Sequence, residues 1–282
     1  MQNFLIRTNE SKDKGLSVTG EIREFLISKG MNVSIELMDD AKISDESSAK
    51  HENNEYDCVI VLGGDGTMLR AARDFLELGT PLLGINLGNV GYLTELSRTG
   101  VLAGISRMLS GDYSLEKRMM LEGSVYKSGE LLERSIALND VVVSKYSPFQ
   151  AIGFDVFVNG SFLNEYSGDG VIVSSPTGST GYNLSAGGPI VEPYADLFVL
   201  TPVSVHSLNS RSIILSGDDE IKIVIKRGRG GEVKKATAMG DSASRYYLES
   251  DDYVVVKKSS KRACFVRLSK ESFLETLHQK LQ

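Results

Sequence analysis

The chain has 282 residues, with 31 Lys and Arg against 37 Asp and Glu and a formal net charge of −6. That length supports two domains, each with its own core, and the acidity argues against a general nucleic-acid or membrane-surface binder. The two cysteines, Cys58 and Cys264, lie in apolar runs without metal-ligand spacing and read as buried thiols. With no signal-peptide pattern and no apolar stretch of membrane-spanning length, the expected location is the cytoplasm.

Phe4-Leu5-Ile6 is a short apolar strand. Residues 17–29 then carry Val18, Ile22, Phe25 and Leu26 on one helical face, with Gly30 at the position that closes a helix. Residues 33–37 alternate as a strand. Residues 38–55 are polar, acidic and Ser-rich without a period, which predicts a surface loop near the active edge.

Residues 56–67 read YDCVIVLGGDGT. The apolar run Cys58-Val59-Ile60-Val61-Leu62 empties into Gly63-Gly64-Asp65-Gly66-Thr67, and helix formers follow. This predicts a buried strand, a glycine turn and a helix with Thr67 near its cap. Gly63, Gly64 and Gly66 permit positive φ and let N–H groups face an incoming anion. Asp65 would repel a phosphate in a turn that only bound one. It makes sense if it takes a proton from a hydroxyl or helps to hold a metal.

The helix is predicted to run to Leu78, ended by Gly79, with another strand over 81–85. Residues 86–95, NLGNVGYLTE, form a second glycine-rich loop, beside the first if the two preceding strands are neighbours. This order implies a parallel, helix-covered sheet with ligands at the carboxyl ends of its strands. A short helix is expected over 99–109.

From residue 114 to about 268 the chain becomes short alternating runs: 121–126, 135–143, 152–158, 170–174, 212–215, 221–226, 253–257 and 264–267. Asn159-Gly160 between FDVFV and SFLNEY signals a type I′ hairpin. Residues 271–281 place Phe273, Leu274, Leu277 and Leu281 on one helical face. The expected fold is therefore α/β plus all-β. A Rossmann-like parallel-sheet domain spans 1–113, with a terminal helix in 270–282 packed back on it. An antiparallel β-sandwich-like domain spans 114–269.

Residues 168–189, GDGVIVSSPTGSTGYNLSAGGP, are dense in small residues and hydroxyls, with Pro176 and Pro189 as rigid ends of the loop. This suits a loop that traces a sugar-phosphate ligand and runs into a helix N-terminus near Thr180. Asp169 at its entrance could accept from a ribose hydroxyl or a base amine.

With both stretches in hand, the sequence resembles the NAD kinase family. GGDGT at 63–67, Asn139-Asp140 within ALNDVVV, SPTGSTGYNLSAGGP at 175–189 and the H-x-L-x-x-R run at 206–211 occur in that family's order and approximate spacing, over nearly the whole chain. The resemblance implies that Asp65 acts on the 2′-hydroxyl of the adenosine ribose of NAD, and that Gly63, Gly64, Gly66 and Thr67 hold the transferred phosphoryl group. Asn139 and Asp140 match the pair that contacts riboses and adenine. Thr177, Thr180, Gly181, Tyr182 and Ser185 match the loop lining the adenosine site, with Gly66 also beside it. Asp169 matches a further ligand contact, and Tyr92 and Leu93 an apolar wall. ATP carrying Mg²⁺ is the implied donor, with polyphosphate left open, and the implied assembly is a homodimer or homotetramer. No dedicated protein metal site is expected.

The departures are Asp140 where the family usually has Glu, Gly181 where Ala is common, Ser212 where Pro is common, and Asp241-Ser242-Ala243 where Asp-Gly-Gln is common. Two other readings compete. GGDGT is shared with diacylglycerol- and sphingosine-type lipid kinases, but those continue with Gly-Thr-x-Asn-Asp, where this chain has Gly88-Asn89-Val90-Gly91-Tyr92, and no basic amphipathic helix suits a membrane surface. A non-catalytic dinucleotide sensor would not need Asp65 among the phosphates. No Gly-Lys-Ser/Thr occurs for a P-loop, and no G-x-G-x-x-G follows the first strand. His206, Arg70 and Arg73 are weaker candidates, with structural or solvated roles as the default.

Overall fold

A computed structural model describes residues 1–38, 56–88, 91–148, 150–205, 211–241, 245–268 and 273–281. The chain forms two units, Met1–Arg118 with Lys261–Gln282, and Met119–Ser260. The predicted loop over 38–55 lies outside the described residues except for Met38, as do His51 and residues 206–210 with His206.

The first unit begins with β1 (Asn3–Asn9), α1 (Ser17–Ser28), β2 (Asn32–Met38), β3 (Cys58–Gly63), α2 (Asp65–Asp74), β4 (Leu82–Asn86), β5 (Leu96–Ser97) and α3 (Val101–Leu109). Its strands lie in the order β4-β3-β1-β2, all parallel. Every residue of β3 is buried, as a strand covered on both faces requires. Phe4, Ile6, Cys58, Ile60, Leu62, Leu83 and Ile85 share one core with Val18, Ile22 and Leu26 of α1 and Val101, Ile105 and Met108 of α3. Residues one place along point to the other face. There Gly84 lies so close to α2 that a Cβ would stand 2.8 Å from the Met68 sulfur. The sheet therefore has helices on both sides, and the carboxyl end of β3 opens at the N-terminus of α2.

The start of α1 is capped from upstream. Asp13 accepts N–H bonds from Val18 (3.1 Å) and Thr19 (2.8 Å) and the Thr19 hydroxyl (2.6 Å), which satisfies donors that a helix start leaves orphaned. Gly30 and Gly79 take positive φ, 78° and 63°. Gly79 does not end α2 directly, because α2 stops at Asp74.

The second unit contains most of β6 (Ser114–Lys127), then β7 (Glu130–Ala137), β8 (Asp140–Lys145), β9 (Ile152–Val158), β10 (Ser161–Gly168), β11 (Gly170–Ser174), α4 (Tyr182–Ser185), β12 (Leu197–Val203), β13 (Ile213–Ser216), β14 (Ile221–Ile225), β15 (Lys235–Gly240), β16 (Tyr246–Glu249) and the first part of β17 (Tyr253–Arg267). One antiparallel sheet runs β13-β12-β11-β8-β15-β16, and β10-β9-β14-β17 are also antiparallel. Inward residues of both sets, among them Val141, Val143, Val171, Val173, Phe154, Val156, Ile221 and Ile223, form one core, as in a sandwich. Asn159 and Gly160 both take positive φ, 50° and 77°, as a type I′ turn requires.

Three details differ from the sequence expectation. The run 135–143 is two strands, broken at Leu138-Asn139. The runs 253–257 and 264–267 are one strand, continuous through the polar stretch between them, although the alternation of covered and exposed positions shifts within it. β12, β15 and β16 were not expected. β12 contains Pro202, and β15 reads KATAMG, with little branched or aromatic character.

The end of β17 returns to the first unit, where Phe265 pairs in parallel with Leu82 of β4, and α5 (Phe273–Leu281) follows. Arg267 there donates to Glu116 (2.7 Å) and Glu95 (2.9 Å), Arg118 also donates to Glu116, and Glu95 accepts the Leu268 N–H at 2.7 Å. Burial pushes the Glu116 carboxyl up, but the Arg267 bond and the two guanidinium charges outweigh it and hold the group down at about 2. Glu95 closes the second glycine-rich loop, so this cluster pins that loop. Both cysteines are buried and unbridged, and burial pushes both thiols up. No helix among the described residues is long and apolar enough to cross a membrane.

Arg267→Met should cost about 3 kcal/mol at neutral pH by taking one guanidinium from two buried carboxylates, leaving Glu116 with Arg118 and Glu95 with the Leu268 N–H. The stabilisation from Glu116 is complete above its ordinary value of 4.5 and is lost as the pH falls through about 2. The deficit of the variant in denaturant melts should therefore shrink in acid, and a deficit that grew in acid would contradict this.

Candidate active site

At the end of β3 the backbone passes from strand to helix within two residues. Gly64 is the N-cap and Asp65 the first residue of α2, so the helix starts earlier than the expectation that put Thr67 near the cap. Gly63, Gly64 and Gly66, which would permit positive φ, do not adopt it. What Gly63 supplies is closeness, since a Cβ there would lie 2.3 Å from the Thr67 hydroxyl oxygen. Gly66 and Thr67 lie in the first helical turn, where the helix dipole favours an anion, although the Thr67 N–H itself already donates to the Gly64 carbonyl at 3.0 Å.

Asp65 points its carboxylate at the second glycine-rich loop. It accepts the Tyr92 N–H at 2.8 Å on Oδ2 and the Leu93 N–H at 3.1 Å on Oδ1. β3 and β4 are parallel neighbours, which brings the two loops together as expected. A Cβ on Gly91 would sit 1.8 Å from Asp65 Oδ1, so glycine is required by contact. Leu93 is buried and meets Asp65 through its backbone, whereas Tyr92 is half-buried. Burial, then the Asp65 charge, push the Tyr92 phenol up, so it remains a donor at neutral pH. Each carboxylate oxygen has a second acceptor direction, which leaves Asp65 able to take a bond from a hydroxyl.

The second group of candidates gathers within the sandwich unit. Asn139 and Asp140 form the corner where β7 ends and β8 begins. Asp241 accepts the N–H groups of Leu138 (2.5 Å), Asn139 (2.8 Å) and Asp140 (3.2 Å), which is why the strand breaks there. The loop after β11 packs on the same corner. Ser175 donates its N–H to the Asn139 carbonyl at 2.8 Å and its hydroxyl to the Leu138 carbonyl at 2.5 Å. A Cβ on Gly178 would fall 2.1 Å from the Asn139 carbonyl oxygen. A Cβ on Gly181 would stand 3.5 Å from Asn139 Nδ2 and 4.0 Å from Asp140 Oδ2, at the cost of a tight 3.2 Å contact with the Gly178 carbonyl. Alanine there would press on that carbonyl, and glycine relieves it.

Thr177 is 6 % exposed, and its hydroxyl oxygen has no hydrogen-bond partner among the described residues. Thr180 donates to the Thr177 carbonyl at 3.4 Å. Thr177–Thr180 is a short 3-10 turn, and the helix starts at Tyr182, two residues later than expected. Tyr182 and Ser185 on α4 present exposed side chains. Asp169 is not part of this group. It precedes β11 while Thr177 follows it, roughly 17 Å along the strand, and it pairs with Lys145 at 2.6 Å.

Two organising residues escaped the sequence reading. Asn183, fully buried, donates to the Ser179 and Pro189 carbonyls at 3.0 Å each and accepts the Thr201 hydroxyl at 2.6 Å, so it ties the ends of the hydroxyl-rich loop. The sole local signal for Asp241 is Gly240-Asp241 after a short run. Of the family-pattern departures, Ser242 and Ala243 lie outside the described residues.

Gly91→Ala should drive Asp65 off the Tyr92 and Leu93 amides. Hydrogen exchange at those two amides is expected to accelerate while exchange in β3 is kept, and unchanged protection would refute the contact. Burial first, then the Asp241 charge, push the Asp140 carboxyl from 3.8 up to about 7. A carboxyl so raised stabilises the fold below its ordinary value, and that stabilisation is lost as pH rises through about 7. Asp140→Asn should therefore raise Tm more at about pH 8 than at about pH 4, and equal shifts in thermal melts would contradict this.

Comparison with known proteins follows the same two-part division. The family model for the ATP-NAD kinase N-terminal domain matches residues 7–113, and that for the ATP-NAD kinase C-terminal domain matches residues 138–268. An NAD kinase of Lachnoclostridium phytofermentans is 40 % identical over 284 residues, covering 99 % of each chain. An NAD kinase from Archaeoglobus fulgidus, solved in complex with ATP, aligns with TM-score 0.76 and 25 % identity over 99 % of this chain and 98 % of that one. A yeast NADH kinase complexed with NADH shares the fold with TM-score 0.82 at 24 % identity, over 99 % of this chain and 87 % of that one. The chain belongs to the ATP-NAD kinase family.

Proposed function

We propose that the protein transfers the γ-phosphoryl group of ATP to the 2′-hydroxyl of the adenosine ribose of NAD, giving NADP and ADP, and that Asp65 is its catalytic residue. The observation that carries this is the Asp65 carboxylate, fixed at the first turn of α2 by two backbone amides with acceptor directions still open. A ribose hydroxyl is a poor nucleophile at neutral pH, so transfer needs in-line placement and a destination for the proton. The 2′-oxygen attacks the γ-phosphorus, the bond to the β-γ bridging oxygen breaks, and the hydroxyl proton passes to Asp65. The transition state is loose, so the proton moves late and Asp65 also orients the hydroxyl.

The phosphoryl group is assigned to the turn of Gly63, Gly64, Gly66 and Thr67, where the glycine amides and the dipole of α2 would offset charge as it shifts. Among the described residues no group of three or more His, Cys, Asp or Glu is placed to hold a metal ion. Mg²⁺ would arrive on the triphosphate, Asp65 is the carboxylate that would meet it, and the ion would supply neutralisation of the phosphoryl charge. Asn139, Asp140, Thr177, Thr180, Gly181, Tyr182 and Ser185 are assigned to the adenosine part of NAD. The unpartnered Thr177 hydroxyl supports this, because a buried polar atom without a partner is costly until a ligand meets it. Tyr92 and Leu93 are assigned beside Asp65, and Asp169 to a separate ligand contact. The reading includes a cytoplasmic enzyme, in keeping with two buried free thiols, working as a homodimer or homotetramer.

Asp65→Asn is isosteric and should lower kcat on the order of 10²–10⁴-fold while leaving NAD affinity within a few fold. The assay follows NADP from NAD, ATP and Mg²⁺ with an NADP-specific dehydrogenase, beside a matched run with diacylglycerol. A near-normal kcat in the variant would refute the role of Asp65. Lipid phosphorylation without NADP formation would overturn the function itself.

A further inference from the structure

The break between β7 and β8 leaves three consecutive N–H groups, those of Leu138, Asn139 and Asp140, without sheet partners. One side chain takes all three. Asp241 lies 101–103 residues further along the chain, one step past the end of β15, and its two carboxylate oxygens accept the three bonds at 2.5, 2.8 and 3.2 Å. It returns a bond of its own, donating its N–H to the Asp140 carbonyl at 3.1 Å. To do so it holds φ at +46°, a conformation that Asp and Asn tolerate and most residues do not. The chain thus accepts backbone strain at Asp241 to place a carboxylate under the corner.

We infer that Asp241 is a positioning residue for nucleotide binding, holding the Asn139-Asp140 corner by three amide bonds and setting its negative charge against the Asp140 carboxyl. It acts through Asn139 and Asp140. The inference rests on the assignment of those two residues to NAD and deepens it by giving the corner a charge-coupled support.

The surroundings of Asp140 make the coupling specific. Ser174 of β11 pairs with it across the sheet, Gly181 of the hydroxyl-rich loop faces its Oδ2, and Asn139 precedes it. None of these carries a charge. Burial raises the Asp140 carboxyl most, and Asp241, just past the end of β15, is the charged group that adds to that effect. A corner glutamate, as the family usually has, would carry its carboxyl one methylene further out. Asp140 keeps its own close to the backbone, which Asp241 holds. The pair therefore links the proton on Asp140 to the geometry that NAD meets.

The test is Asp241→Asn, which keeps shape and tolerance of positive φ but removes the charge and one acceptor. Two readouts are taken on the full-length protein. Carboxyl NMR titration of Asp140 without ligand should show its midpoint moving down from about 7, because a like charge has been withdrawn. Steady-state kinetics should show KM for NAD raised on the order of tenfold, with kcat within about threefold and KM for ATP unchanged. A merely structural role would not move the titration. An unmoved midpoint, or an unchanged KM for NAD, overturns the inference. If Asp241→Asn does not fold, Asp241→Glu is used. It keeps the charge but displaces the carboxylate, so KM for NAD should rise while the midpoint stays near that of the wild type, and a wild-type KM would overturn the inference. Failure of the wild type to form NADP would instead strike the proposed function, and the titration readout would still stand.

Discussion

The arrangement depends on one carboxylate received by two backbone amides. Asp65 sits where β3 becomes α2, and its oxygens meet the N–H groups of Tyr92 and Leu93. A carboxylate on an exposed turn would ordinarily swing through several rotamers and, beside phosphates, would turn away. Here the amides hold it in place and the helix dipole favours its charge. Gly91 makes room for it, because any side chain at that position would occupy the carboxylate's own volume. The loop that supplies the amides is itself held, since Glu95 at its end is bonded to Arg267 and to the Leu268 amide. A buried ionic cluster that does not touch Asp65 therefore serves its placement through the loop. Such a cluster adds little net stability compared with an apolar substitute, but it specifies one loop position.

The sandwich unit applies the same device with the roles reversed. There the carboxylate of Asp241 comes from elsewhere in the chain and gathers three amides of the 138–140 corner, so that the half-buried Asn139 and the buried Asp140 are held from beneath. The hydroxyl-rich loop closes on that corner through Ser175 and Gly178, and Asn183 fixes its far end. In both units an irregular backbone segment is made definite by hydrogen bonds to acidic or amide side chains, which is how a loop becomes precise enough to orient a ligand.

Much of this was legible in the sequence because its signals are local. The Cys58–Gly63 strand, the glycine turn, the helix behind it and the Asn159-Gly160 hairpin each announce themselves within a dozen residues. The neighbouring of the two glycine-rich loops followed from chain order and the habit of adjacent parallel strands. The start of α2 was misjudged because Gly-Gly-Asp-Gly-Thr offers several plausible caps, and the packing of Thr67 against Gly63 decides among them. Proline and small residues hid β12 and β15, whose strand character comes from pairing rather than propensity. Asp241 and Asn183 were missed for a different reason. Their roles consist of bonds made after the chain has folded, to residues that no spacing rule connects to them.

The central claim is that Asp65 faces the alcohol that becomes phosphorylated. The most direct measurement is a crystal structure of the protein with NAD bound, in which the distance from the Asp65 carboxylate to the 2′-oxygen of the adenosine ribose is read. The account predicts hydrogen-bond reach, about 2.6–3.2 Å, directly or through one water. An adenosine ribose bound on another face of the molecule, with the nicotinamide ribose or no sugar at Asp65, would contradict it.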